Sequence, residues 1–171
     1  MESFQDETHE LLPPDVSLTI RLEALNPKVN AETLKQGNQL TIEVLGGMLR
    51  HREMNQNVML LLLCHEIGHF LGGPPLKSRN GWSSVEGQAD YYSTAICIKN
   101  FNLGQTEFYD AVLGLTKIYA GASREGMSSL EGSDPTIVER INYGYPSVQC
   151  RLDTLLAGWM GQARPRCWFK E

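Results

Sequence analysis

Residues 57–73 read NVMLLLLCHEIGHFLGG, from Asn57 to Gly73, and the rest of the chain has to fold around them. Residues 58–63 are unbroken apolar sequence, and together with residues 64–71 they predict a buried helix. Gly72-Gly73-Pro74-Pro75 stops that helix, because proline lacks an amide hydrogen and cannot continue it. Inside it stand His65, Glu66 and His69 in the spacing H-E-x-x-H. Residues i and i+4 of a helix lie one above the other, so both imidazoles can reach one metal ion. Glu66 can reach a water on that ion, which is the zinc-peptidase arrangement. The competing reading is a pair of hydrogen-bonded core histidines. Three polar groups in an apolar helix are costly unless compensated, and a shared metal ion compensates all three at once.

With 171 residues the chain is expected to form one domain, residues 1–171, large enough to bury a core. A net charge of −5 argues against nucleic acid as a partner. No apolar run is long enough to span a bilayer, since Glu66 comes soon after residue 63. Residues 1–15 are acidic and are expected to form an N-terminal arm. They carry neither the basic nor the apolar region of a secretory leader. The chain is thus read as cytoplasmic or as following a removed leader, with a secreted or periplasmic setting favoured. Cys64, Cys97, Cys150 and Cys167 form no C-x-x-C pair. Cys64 reads as a small core residue. For Cys150 and Cys167, a disulfide in an oxidising compartment and a pair of buried thiols are both open.

Residues 16–25 alternate, with Val16, Leu18, Ile20 and Leu22 against Ser17, Thr19, Arg21 and Glu23, the period of a half-buried strand. Residues 30–37 fit a short turn of helix, and residues 39–45 alternate again as a second strand. An exposed edge on that second strand, just before the metal helix, would suit an extended peptide. Beyond the metal helix, a second helix is expected from Ser83 to about Lys99 and a third over residues 105–120. Residues 122–133 are rich in glycine and serine and read as a mobile loop. Asp134-Pro135 predicts a short helix ending near Tyr143-Gly144, and another begins after Pro146. The expected class is α+β, a small antiparallel sheet with an edge strand beside the active-site helix, followed by about five helices.

Catalytic zinc takes three protein ligands and keeps a fourth position open. The extended H-E-x-x-H-x-x-G-x-x-H site fails here, because Pro75 stands where its last histidine would be. His9 and His51 lie upstream with no motif around them. The best third ligand is Glu86, which opens Glu86-Gly87-Gln88-Ala89-Asp90. On an antiparallel second helix Glu86 would meet the metal. Asp90, one turn on, would then accept a hydrogen bond from a ligand histidine and fix its tautomer. Ser83-x-x-Glu86 is also a capping box, which would engage the carboxylate with backbone instead.

H-E-x-x-H followed on the next helix by E-x-x-A-D resembles the gluzincin clan of zinc peptidases. It is most similar to the CAAX-prenyl-endopeptidase and heat-shock-peptidase family and its small soluble relatives. Tyr145-Pro146-Ser147-Val148-Gln149-Cys150-Arg151 is similar to that family's His-Pro pair and following arginine, with Tyr145 replacing the histidine. The resemblance spans about residues 46–151 and lacks the family's transmembrane helices, so membrane-protein substrates do not carry over. It implies a zincin-like fold and one zinc per chain, held by His65, His69 and Glu86, with Asp90 behind them. Glu66 would be the general base of an endopeptidase acting on peptide or protein substrates. Tyr145, with Tyr143 as its rival, would stabilise the oxyanion, and Arg151 would assist or bind substrate backbone. The alternative is a catalytically silent zincin-fold binding or regulatory module that retains zinc. A purely structural zinc site is disfavoured, since such sites take four protein ligands and favour cysteine.

Overall fold

The computed structural model describes residues 2–123 and 125–171. Three strands, β1 (Ser17–Glu23), β2 (Ala31–Gln36) and β3 (Gln39–Leu45), form one sheet in the order β1-β3-β2. β3 takes the centre because it is the most apolar: Leu40, Ile42 and Val44 are fully buried against the helices. Gly37, at φ +58°, allows the tight Gly37-Asn38 turn that makes β2 antiparallel to β3. β1 runs parallel to β3, from Ser17 opposite Gln39 to Glu23 opposite Leu45. The sheet is therefore mixed, not antiparallel as expected.

β2 corrects a second expectation, that of a short turn of helix over residues 30–37. Ala-Glu-Thr-Leu-Lys-Gln has helical propensity, but pairing with β3 along its whole length overrides it. The exposed edge beside the helix of residues 56–71 consequently belongs to β2, while the strand expected in that role, β3, is enclosed on both sides.

Helix α1 (Glu2–His9) occupies much of the expected arm, with Phe4 buried and stacked on Phe101 at 5.3 Å. After β3 come a single turn, α2 (Gly46–Leu49), and the metal helix, α3 (Gln56–Leu71). Asn55 caps α3, its side chain accepting from the amides of Asn57 and Val58. From Leu61 to His69 every residue of α3 is buried. Helices α4 (Glu86–Ala95) and α5 (Gln105–Ser123) pack against it, and α6 (Val148–Met160) packs against α4 and α5. Leu61, Ile67, Phe108, Leu115, Leu152 and Leu155 are fully enclosed, each contributing about 1.5–3 kcal/mol through burial.

Gly68 lets α3 and α4 approach closely: a Cβ there would sit 2.6 Å from the Ala89 carbonyl oxygen. Cys64 is not a free core thiol. It is joined to Cys97, in a 3-10 turn (Cys97–Asn100), so α3 and the end of α4 are covalently tied.

The helix expected from Asp134 to Tyr143 does not form. Asp134 instead bonds Ser147 and accepts from the Thr136 amide, and the amides of Val138 and Asn142 donate to Arg166 and Trp168 carbonyls. The C-terminal tail thus satisfies backbone groups that a helix would have satisfied internally. A disulfide between Cys150 and Cys167 anchors this tail, and Trp168 is buried against Gly87 at the start of α4. Among the described residues, no helix is long and apolar enough to cross a membrane.

Candidate metal centre

His65, Glu66 and His69 are buried on α3, with one ligand atom from each lying within 4.8 Å of the others. α4 crosses directly over them and brings Glu86 and Asp90 into contact. The Nε2 atom of His65 lies 3.4 Å from Glu86 Oε2, and that of His69 lies 3.6 Å from Glu86 Oε1. The group whose ligand atoms lie close enough to share a metal ion is His65, Glu66 and His69, and Glu86 touches both imidazoles, one through each carboxylate oxygen. Their remaining nitrogens face away. His65 Nδ1 lies 2.8 Å from Asp90 Oδ1, a charge contact without hydrogen-bond alignment, and His69 Nδ1 donates to the Ser84 carbonyl at 2.9 Å. Each imidazole is thereby held with Nε2 toward Glu86.

The capping box does not form. Val85 is the N-cap of α4 without a side-chain bond, and the Glu86 carboxylate turns to the histidines and to Lys77, whose Nζ is 2.8 Å from Oε1. Asp90 is fully buried and takes two hydrogen bonds from Arg151, from Nε at 2.7 Å and from Nη2 at 2.8 Å. The guanidinium stacks 3.6 Å from the centre of the Tyr119 ring, and Nη2 also stands 3.6 Å from Glu86 Oε2.

These charges set the protonation of the site. Burial pulls His65 down, but the carboxylates of Asp90 and Glu86 outweigh it and lift the imidazole to about 9. Burial and then the charge on His65 take His69 down to about 4. Burial pushes Glu86 and Asp90 up, yet His65 and Arg151 leave both carboxyls below their ordinary range. Glu66 is pushed up by burial, against the opposing influence of His65 and of Thr33, whose hydroxyl donates to Glu66 Oε2 at 2.8 Å. Glu66, with its pKa raised, thus stands beside an imidazole whose neighbouring carboxylates favour positive charge and a second one on which burial disfavours it.

The cluster opens into a cleft of about 590 Å³. One side is β2 with the residues before it, Val29 to Thr33. Met48, Leu62 and Ile118 give the lining its apolar part, and Ser123, Glu125, Tyr145 and Pro146 also line it. Tyr145 therefore borders the cleft, 78% exposed, while Tyr143 is exposed and is not among the lining residues. Arg151 is 5% exposed beneath the ligands, its Nε and Nη2 turned to Asp90.

Four participants carry no signal of their own in the sequence. Thr33 lies in a segment whose local propensity is helical, Ser84 acts through its carbonyl, and Lys77 sits in a polar loop without a motif. Tyr119 has the helical phase of a core residue, and only its position under Arg151 distinguishes it. A second cluster, Asp134 with Cys150 and Cys167, offers no thiolates because the cysteines are bonded to each other. Comparison with known protein families, curated proteins and solved structures finds no match for this chain.

Proposed function

We propose that the protein is a zinc-dependent endopeptidase. The observation that carries this reading is the buried grouping of His65, Glu66 and His69, with Glu86 in contact with both imidazoles, in a cleft bordered by a free strand edge. Two imidazoles, one carboxylate and an open side constitute the donor set of a hydrolytic zinc site. Zinc supplies Lewis acidity there, bringing the pKa of water at its open position to about 7 and polarising a peptide carbonyl.

The protein's own groups do the rest. Thr33 holds Glu66 by Oε2, leaving Oε1 to take the proton of the attacking water and return it to the departing amine. The backbone of β2 beside the cleft suits an extended peptide, which would add as a further strand. Tyr145, at the border of the cleft, can donate its phenol to the substrate carbonyl. Asp90 and Arg151 work from behind, Asp90 beside His65 and Arg151 holding Asp90 through two hydrogen bonds.

Glu66→Gln tests the reading. The variant should retain one zinc per chain and lose peptide cleavage. Undiminished cleavage would refute it, and a wild-type protein that binds zinc but cleaves nothing in a broad peptide library would favour a silent binding module.

A further inference from the structure

We propose that Lys77 is a catalytic cation of this cleft, its ammonium binding the oxygen of the scissile carbonyl as negative charge builds there. The inference rests on the peptidase reading above. Lys77 lines the cleft together with His65, Glu66 and His69, and its Nζ is 2.8 Å from Glu86 Oε1. That places the ammonium on the carboxylate that touches both imidazoles.

The backbone beneath it is fixed. The Lys77 amide donates to the Ser83 carbonyl at 2.7 Å, Leu76 bridges to Ser84, and the Val85 amide donates to Pro75 at 3.0 Å. This short ladder ties the backbone of residue 77 to the segment that opens α4. The side chain is 42% exposed, so its head is reachable from the cleft. An ammonium has three donors, and among the described residues Glu86 is its one acceptor.

The other polar groups of the cleft serve less well. Arg151 is buried and bonded to Asp90 through two nitrogens, and Tyr145 is neutral.

In the step itself the water oxygen bonds to the carbonyl carbon, and the π pair moves onto oxygen, where Lys77 donates a hydrogen bond. The water proton passes to Glu66. On collapse the C–N bond breaks, and that proton goes to nitrogen. Lys77 keeps its own proton throughout.

Inorganic phosphate, a tetrahedral anion without side-chain preference, provides the test. It is titrated into the cobalt-loaded wild type, Lys77→Met and Lys77→Arg, following the visible spectrum of the metal. Losing one charged hydrogen bond should weaken phosphate about 10–100-fold in Lys77→Met, with cobalt content and circular dichroism unchanged. Lys77→Arg should stay within about threefold of wild type. Turnover in Lys77→Met should fall about 10²–10³-fold with little change in KM.

Equal phosphate affinity in Lys77→Met, or a wild type whose metal phosphate does not perturb, overturns the proposal. So does loss of cobalt from Lys77→Met, which would make Lys77 only a partner of Glu86. The peptidase reading fails by a different result: cobalt and phosphate bound normally, with no Glu66-dependent cleavage.

Discussion

Arg151→Met is the most informative single perturbation of the framework. The substitution keeps a long apolar stem but removes a charge that is 5% exposed and bonded twice to a fully buried carboxylate. Breaking a buried pair by removing one partner costs about 3–5 kcal/mol, because the other charge is left without its counterion. The stacked contact with Tyr119 adds up to about 2 kcal/mol in a desolvated setting. His65, 2.8 Å from Asp90, offsets part of the loss, so the expected net destabilisation is about 3–5 kcal/mol. That is a large share of the 5–15 kcal/mol typical of a whole domain. The assay is urea unfolding in the presence of a chelator, with disulfides intact, so that metal binding does not contribute. The midpoint should fall with the slope unchanged. Arg151→Met combined with Asp90→Asn should cost less than the sum of the single variants, since the pair is then removed together. A loss below about 1 kcal/mol in Arg151→Met, at unchanged slope, would refute the reasoning and mark the pair as replaceable.

Three further outcomes rest on the same geometry. Thr33→Val removes the donor to Glu66 Oε2 and should cost about 1–3 kcal/mol of stability and lower turnover at constant zinc content, while Thr33→Ser should restore both; denaturant titration and peptide kinetics check this. Gly68→Ala places a Cβ 2.6 Å from the Ala89 carbonyl, so α3 and α4 must separate; about 1–3 kcal/mol of stability should be lost, and competition with a chelator should show weaker zinc binding. Replacing Cys150 and Cys167 with serine opens a loop of sequence separation 17 and should cost about 3 kcal/mol by thermal or urea unfolding. Because Trp168 packs on Gly87, that double variant should also hold zinc less tightly, whereas an unchanged affinity would show that the tail does not position Glu86.

The local signals are legible where a residue's role is set by its neighbours in sequence. The apolar run, the i, i+4 spacing of His65 and His69 and the stop at Gly72-Gly73 specify α3 because helical geometry is local. Glu86 and Asp90 are readable for the same reason: four residues apart, they share a face wherever the helix docks. The strand of residues 39–45 shows its period directly, since Leu40, Ile42 and Val44 all turn to the core.

The features hidden from the sequence depend on partners distant in the chain. Residues 31–36 have helical propensity and become β2 only because β3 offers a complete ladder. Residues 134–143 have a good helix start and stay irregular because the tail around Arg166 and Trp168 takes up their amides. The bond between Cys64 and Cys97 requires α3 and the end of α4 to cross, and pairing is not encoded in spacing. Thr33, Lys77, Ser84 and Tyr119 carry no motif, for each acts through a contact that exists only after folding. The sequence by itself thus determined helix α3 and the side-chain types of the candidate metal site on it. The tertiary structure decided which strand borders the cleft, which side chains orient the ligands and which cation faces them, because those contacts are made across the chain and not along it.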